Sequence, residues 1–238
     1  MLLEENERLD DLQLNNLKII QNKNLYNFTC DAVILANFIK TKHSDIYVDF
    51  CTGSGVIPIL VNEKQNPKNV YGIEIQKQMY DLFVKNINLN NLTDKIKAIN
   101  GDVKNIKEYF KSESVDVVSC NPPYIKDCNI SNDNDCLTIA RHEKLINLEQ
   151  VICSASYILK NNGKFYIVHL ASRLVELFNI LSKYKLEPKK MFFTYPSINK
   201  NAKLAIIECV KNGKSELKIL PPLVTNDLDG NYIHNNFR

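Results

Sequence analysis

A strand, a glycine turn and an apolar helix in immediate succession constrain this chain more than any other feature. Ile46-Tyr47-Val48-Asp49-Phe50-Cys51 reads as a buried strand, Thr52-Gly53-Ser54-Gly55 turns the chain, and Val56-Ile57-Pro58-Ile59-Leu60-Val61 begins a helix. Glycines in the turn let the backbone approach a ligand where a side chain would block it. Pro58 is tolerated because N–H groups in the first turn of a helix have no intrahelical partners. The next strand, Val70-Tyr71-Gly72-Ile73-Glu74-Ile75, brings an acidic residue about twenty positions beyond the turn, the spacing used to hold ribose hydroxyls.

Two further strand ends carry polar residues. Lys95-Ile96-Lys97-Ala98-Ile99-Asn100 alternates with period two and runs into Gly101-Asp102-Val103, which places the Asp102 carboxylate where it can accept from an adenine amine. Val115-Asp116-Val117-Val118-Ser119-Cys120 reads as another buried strand and ends in Asn121-Pro122-Pro123-Tyr124. The two prolines hold Asn121 extended, and they leave the carbonyls of Asn121 and Pro122 as backbone groups free to face a ligand. An acceptor pair beside an aromatic ring suits a planar –NH2. Taken singly, a Pro-Pro pair is as readily a stiff loop, and Asp102 as readily a helix N-cap. Their common place at strand ends favours a binding crevice, because ligands of open α/β sheets bind outside the carboxyl ends of the strands. A dinucleotide would need a third glycine where Pro58 stands. S-adenosylmethionine, with a ribose and an adenine but no phosphate, suits the turn better.

These motifs resemble, in order, those of class I S-adenosylmethionine-dependent methyltransferases that act on amines. More narrowly, the chain resembles the bacterial tRNA(Val) adenine N6-methyltransferases, which modify the adenosine at position 37, just 3′ of the anticodon. The narrower likeness rests on Tyr26-Asn27-Phe28-Thr29-Cys30-Asp31 through Phe38, on Ala140-Arg141-His142-Glu143, and on Leu217-Lys218-Ile219-Leu220-Pro221-Pro222-Leu223. Cys51 stands where the family often has glycine.

The resemblance implies a Rossmann-like α/β sandwich of three layers, with a mainly parallel seven-stranded sheet and a C-terminal antiparallel hairpin. It implies that S-adenosylmethionine is held by Tyr26, Phe28, Thr29 and Asp31, by Asp49, Cys51, Thr52, Gly53 and Gly55, and by Glu74, Ile75, Asp102, Val103 and Asn121. Catalysis falls to Asn121, Pro122, Pro123 and Tyr124. For the tRNA anticodon loop the candidates are Tyr124, Arg141, His142, Lys189, Lys190 and Tyr195, although a helix-start ion pair with Glu143 accounts equally for Arg141 and His142. The same tetrapeptide occurs in release-factor glutamine methyltransferases, and rRNA or DNA bases are further amine acceptors. A non-catalytic RNA-binding module is the remaining alternative, against which the intact motifs argue.

Composition accords with one enzyme domain. The 238 residues, 45% hydrophobic, suffice for a three-layer core. We expect short strands in residues 1–30, within Leu12–Phe28, then a catalytic core over 31–211 and an extension over 212–238. The acidic N-terminus and the lack of a long apolar run suggest a cytoplasmic protein that does not enter a membrane. With 7 scattered cysteines, no C-x-x-C pair and 4 histidines, no metal is expected. Helices are expected over Ala32–Ile39, Lys144–Leu159 and Ser172–Tyr184. Strands are expected over Lys164–Leu170, Lys190–Tyr195 and Lys203–Val210, with a turn at Asn161-Asn162-Gly163 and a hairpin at Asp229-Gly230. The polar segment 125–134 reads as a lid or as plain surface loop in equal measure. Net charge is +3, but lysines crowd the C-terminal third, where they either hold RNA phosphates or are simply solvated.

Overall fold

The computed structural model describes residues 3–123 and 146–226. The chain begins with an antiparallel hairpin, β1 (Glu7–Asp11) and β2 (Lys18–Asn22), in which Glu7 faces Asn22 and Asp11 faces Lys18. The first strand lies upstream of the expected Leu12. All of its residues but Leu9 are charged and most are exposed, so hydrophobic alternation does not mark it.

The central sheet contains β3 (Ile46–Phe50), β4 (Asn69–Glu74), β5 (Ile96–Asn100), β6 (Val115–Cys120), β7 (Leu159–Leu170), β8 (Leu186–Tyr195) and β9 (Leu204–Lys211). Two-residue strands β10 (Lys218–Ile219) and β11 (Leu223–Val224) both run parallel to β8 at one edge, making nine strands where seven were expected. The order is β10-β8-β9-β7-β6-β3-β4-β5. Strands β7, β6, β3, β4 and β5 are mutually parallel, and β9 runs antiparallel between β7 and β8. The expected C-terminal hairpin is therefore β8–β9.

Helices cover both faces. On one lie α1 (Cys30–Phe38), α2 (Val56–Gln65) and α3 (Lys77–Leu89), whose Leu35, Ile59 and Phe83 pack with Tyr47 and Val117. On the other lie α4 (Ile106–Tyr109), α5 (Leu148–Ile158) and α6 (Leu174–Lys183), whose Ile152 and Leu181 pack with Val48 and Val118. Adjacent residues of β3 and β6 thus feed opposite cores, which is why those strands are apolar at nearly every position.

Two boundaries differ from expectation for local reasons. Helix α5 starts at Leu148 because Asn147 and Gln150 form a reciprocal capping box: the Asn147 Oδ1 accepts the Gln150 N–H at 2.9 Å, and the Gln150 Oε1 accepts the Asn147 N–H at 3.0 Å. Asn161-Asn162-Gly163 does not interrupt β7. It is absorbed as an irregularity in pairing with β6, between the Val115–Leu159 and Val117–Lys164 pairs, with Asn162 at a φ of 63°. The expected turn at Asp229-Gly230, like Tyr124, segment 125–134, Arg141 and His142, lies outside the described residues.

Candidate active site

The parallel strands put four polar strand ends on one edge of the sheet. Phe50 is level with Ile73 and Cys120, and Glu74 with Asn100, so the glycine turn, Glu74, Gly101-Asp102 and Asn121 emerge side by side. A cavity of about 580 Å³ opens there, within the size range of small-molecule sites.

The turn is shaped by its backbone. Cys51 adopts a φ of 54°, a conformation that costs a residue with a Cβ on the order of 1–2 kcal/mol, which accounts for the glycine common at that place in the resembled family. Gly55 caps α2 at a φ of 88°, and a Cβ there would come within 1.9 Å of the Phe83 ring. A Cβ on Gly72 would meet the same ring at 2.5 Å. Phe83 therefore lies flush against both the turn and β4, and Gly55 serves packing without lining the cavity. The signal for Gly72 was present as an isolated glycine in a strand, which marks a close approach.

Beneath the turn, Asp49 is fully buried and does not line the cavity. Its carboxylate accepts from the Thr52 hydroxyl at 2.7 Å and from the Ser119 hydroxyl, which also shares a 2.6 Å bond with the Tyr47 hydroxyl. Burial pushes the Asp49 carboxyl up to about 7, the two hydroxyl bonds oppose this, and the nearby Glu74 adds to it. Asp49 thus joins the turn to β6, the strand that ends in Asn121.

Glu74 lines the cavity and is 5% exposed. Its Oε2 accepts the Gly53 N–H and its Oε1 the Gln76 N–H, each at 2.9 Å. Burial raises this carboxyl too, against the backbone N–H groups of Gln76, Gly53 and Ile75. Asp102 caps the short 3₁₀ turn Val103–Asn105, accepting the Lys104 N–H at 2.9 Å, and pairs with the Lys104 ammonium at 3.2 Å. The capping alternative is thus realised while Asp102 still lines the cavity. Each carboxylate has about four acceptor positions, so hydroxyl or amine donors can still be taken up. Two carboxylates, apolar walls from Ile57 and Met79, and a Gly53 at which even a Cβ would meet nothing nearer than Met79 at 3.5 Å suit a ligand with a ribose, an amine and no phosphate.

Of the other expected ligand residues, Tyr26, Phe28, Thr29, Asp31, Cys51, Thr52, Ile75 and Val103 line the same cavity. The N-terminal hairpin holds their segment in place. Gln21 on β2, 2% exposed, accepts the Phe28 N–H at 3.0 Å. Asn86 on α3, fully buried, accepts the Ile20 N–H at 2.7 Å and donates to the carbonyls of Ile20 at 3.1 Å and Ser54 at 3.0 Å. One amide thereby joins the hairpin to the glycine turn. No sequence motif announces either residue, because their partners lie far along the chain.

Asn121, Pro122 and Pro123 line the cavity beside the turn, at the end of the adjacent strand β6. The remaining wall was missed by sequence reasoning: Leu170 at the end of β7, Thr194 and Pro196 at the end of β8, Lys203 and Leu204 at the start of β9, and Thr225 with Asn226 after β11. The expected RNA contacts Lys189, Lys190 and Tyr195 are absent from it. Lys189 donates to the carbonyls of Lys214 at 3.0 Å and Ser215 at 3.3 Å, and Lys190 pairs with Glu208 at 3.2 Å. The Tyr195 carbonyl accepts the Thr225 N–H at 2.9 Å. Lys189 and Lys190 are thus held by partners at the β8 edge.

Among the described residues no three metal-ligating side chains cluster, and no helix is long and apolar enough to cross a membrane. Cys30 and Cys51 are half-buried, Cys120 and Cys209 buried and Cys153 exposed, all as free thiols.

Comparison with known proteins agrees with this architecture. The family model of the TRM5/TYW2 methyltransferase domain matches residues 33–146. A tRNA1(Val) (adenine(37)-N6)-methyltransferase from Porphyromonas gingivalis is 27% identical over 146 residues, 60% of this chain and 57% of its own length. The match therefore spans little more than half of that relative. Another of the same name, from Flavobacterium johnsoniae, is 19% identical over 87% of this chain and 88% of its own length. A release factor glutamine methyltransferase from Clostridium botulinum is 33% identical, but over 37% of this chain and 31% of its own. The crystal structure of Atu636 from Agrobacterium tumefaciens, described as a predicted O-methyltransferase, superposes with a TM-score of 0.68 at 16% identity, covering 86% of this chain and 92% of that one. The fold is that of the class I methyltransferases.

Proposed function

We propose that this chain, a class I methyltransferase by fold, uses S-adenosylmethionine to methylate the N6 amine of an adenosine in tRNA, next to the anticodon at position 37. One observation carries the reading: the glycine turn with Glu74 and Asp102, and the Asn121-Pro122-Pro123 clamp, open into the same cavity. The names of the P. gingivalis and F. johnsoniae relatives supply the acceptor.

Tyr26, Phe28, Thr29, Asp31, Cys51, Thr52, Gly53, Ile75 and Val103 would form the cofactor's bed. Glu74 would take its ribose hydroxyls, and Asp102 its adenine amine. S-adenosylmethionine, when bound, supplies a methyl group on an electrophilic sulfonium. The protein's part is to make a poor nucleophile adequate, because adenine's exocyclic nitrogen shares its lone pair with the ring. Asn121 and the Pro122 carbonyl would accept the two amine hydrogens and favour a pyramidal nitrogen with its lone pair toward the donor. Such bonds raise the rate to the extent that they strengthen as positive charge grows on nitrogen. Tyr124 would stack on the base, with Arg141 and His142 nearby in sequence. Reaching the amine requires turning the base out of its stack, at roughly a few kcal/mol, less in a loop than in a duplex. A cytoplasmic setting follows from a tRNA substrate.

The test is transfer of tritiated methyl groups to total RNA, total DNA and purified release factor, followed by nucleoside analysis. Label in N6-methyladenosine of tRNA is expected, and label confined to release factor would overturn the acceptor. Asn121→Ala should lower turnover on the order of 100-fold or more with cofactor affinity nearly unchanged; full activity would remove Asn121 from the mechanism.

A further inference from the structure

We infer that Lys203 holds a backbone phosphate flanking the methylated nucleotide, so that the cavity selects an amine carried on a nucleic-acid strand. This deepens the RNA reading above and rests on it. Among the described residues Lys203 is the one of the crowded C-terminal lysines that lines the cavity, whereas Lys189 and Lys190 are engaged at the β8 edge.

Its place is fixed by backbone on two sides. The Lys203 N–H donates to the Thr194 carbonyl at 2.8 Å, and its own carbonyl accepts the Ala171 N–H at 3.0 Å. Lys203 thus belongs to the ladder where β7 and β8 end and β9 begins, and its side chain is exposed there. Lys160, Lys164, Lys183, Lys190 and Lys211 each lie against a carboxylate, while among the described residues no carboxylate lies within ion-pair distance of Lys203. A cation without a carboxylate at the mouth of a cavity is suited to an anionic part of the incoming substrate.

The spacing suits a nucleotide. Cys120 is level with Ile167, and Lys203 bonds to Ala171, so Lys203 stands two strands across from the clamp and about three residues further along. Each displacement is on the order of 10 Å. With the lysine stem reaching back over part of that gap, the remaining span is that of a base edge to its own phosphate. A glutamine side chain in a protein presents its amide at a similar depth but has no anion at that distance. The neighbouring Thr194 and Thr225 offer hydroxyls and no charge, leaving the phosphate contact to Lys203.

The experiment pairs a protein change with a substrate change. Methyl transfer is measured for the wild type, Lys203→Gln and Lys68→Gln on a short anticodon stem-loop, native or with a neutral methylphosphonate 5′ or 3′ of the target adenosine. Lys68 is exposed at the opposite end of the strands and controls for loss of one positive charge. Lys203→Gln should raise KM for the RNA about five- to tenfold and shrink the slope of log KM against log salt by about 0.7, the share of one single-strand phosphate. Its kcat should stay within about twofold and its cofactor affinity should not move. At one flanking position the methylphosphonate should weaken the wild type by a similar factor and leave Lys203→Gln no weaker. Equal methylphosphonate penalties in both proteins at both positions, or superimposed salt slopes, would overturn the role of Lys203 while leaving RNA methylation intact. A wild type that labels release factor and no RNA would overturn both readings together.

Discussion

On the glycine-turn side of the cavity the polar side chains are already engaged with the protein itself; on the side formed by β6, β7, β8 and β9 a cation and a proline pair line the opening. Asp49 holds Thr52 and Ser119, Glu74 holds the N–H groups of Gly53 and Gln76, Asp102 holds its own 3₁₀ turn, and Asn86 joins β2 to Ser54. The other wall presents Asn121, Pro122 and Lys203, with Lys203 anchored through its backbone. A site for a small ligand that recurs in every turnover benefits from being preorganised, because ordering it on binding would subtract from affinity. A site for a polymer needs groups left available, and it can take up the rest of its shape from the substrate. Changes on the first wall should therefore cost stability and cofactor affinity, and changes on the second should cost turnover or RNA affinity with the melting transition unmoved.

The severest test of that contrast is Gly55→Ala. A methyl group there combines a left-handed backbone with a 1.9 Å approach to Phe83, so a loss of about 3–5 kcal/mol is expected in urea unfolding. A loss below about 1 kcal/mol would show that Phe83 yields easily and that the turn is not held by packing. Asn86→Ala comes next: it leaves the Ile20 N–H and two carbonyls without their amide, for about 2–4 kcal/mol. Calorimetric titration should show weaker cofactor binding in this variant, while kcat at saturating cofactor changes little. A drop in kcat without a change in cofactor affinity would assign Asn86 to the wrong wall.

Asp49 supplies an effect spread over several pH units. Its folded carboxyl, near 7, lies above the ordinary 3.8, so the folded chain holds a proton that the unfolded chain has released between those values. The associated stability is complete below about pH 4 and is lost as pH rises through about 7, by up to roughly 1.4 kcal/mol per unit while the group titrates. Asp49→Asn should flatten this fall relative to the wild type in urea titrations from pH 4 to 8. Parallel curves would mean that Asp49 is ionised throughout. On the other wall, Asn121→Ala and Lys203→Gln should shift unfolding midpoints least of all, by less than about 0.5 kcal/mol.

The legible part of the molecule is the part where local chemistry decides. β3, β4 and β6 announced themselves as apolar runs ending in polar residues, and because parallel strands bring their carboxyl ends to one edge, naming those ends located the cavity. Cys51 was legible as an exception, and its φ of 54° gives the reason. Charged β1 was misplaced because a two-stranded exposed hairpin leaves no hydrophobic period to read. Helix α5 was begun too early because a capping box at Asn147 and Gln150 carries less signal than the apolar run it precedes.

Counting lysines along the C-terminal third pointed to Lys189 and Lys190, which the fold occupies with the Lys214 and Ser215 carbonyls and with Glu208. Density in sequence says nothing about which side of an antiparallel strand faces an opening, since a shift of one residue reverses it. Lys203, one residue before β9, belongs to the same crowd of lysines, and only its bonds to Thr194 and Ala171 single it out at the cavity wall.

The amino-acid sequence alone determined the layered α/β class, the glycine turn, the acidic residue at the end of β4 and the proline clamp, because each depends on a few neighbouring residues and on the conformations open to them. Tertiary structure alone decided that Asp49 and Gly55 support the turn from behind, that Gln21 and Asn86 bind the N-terminal hairpin to it, and that Lys203 faces the opening. Those roles depend on register between strands distant along the chain, and register is settled by the burial of a whole core.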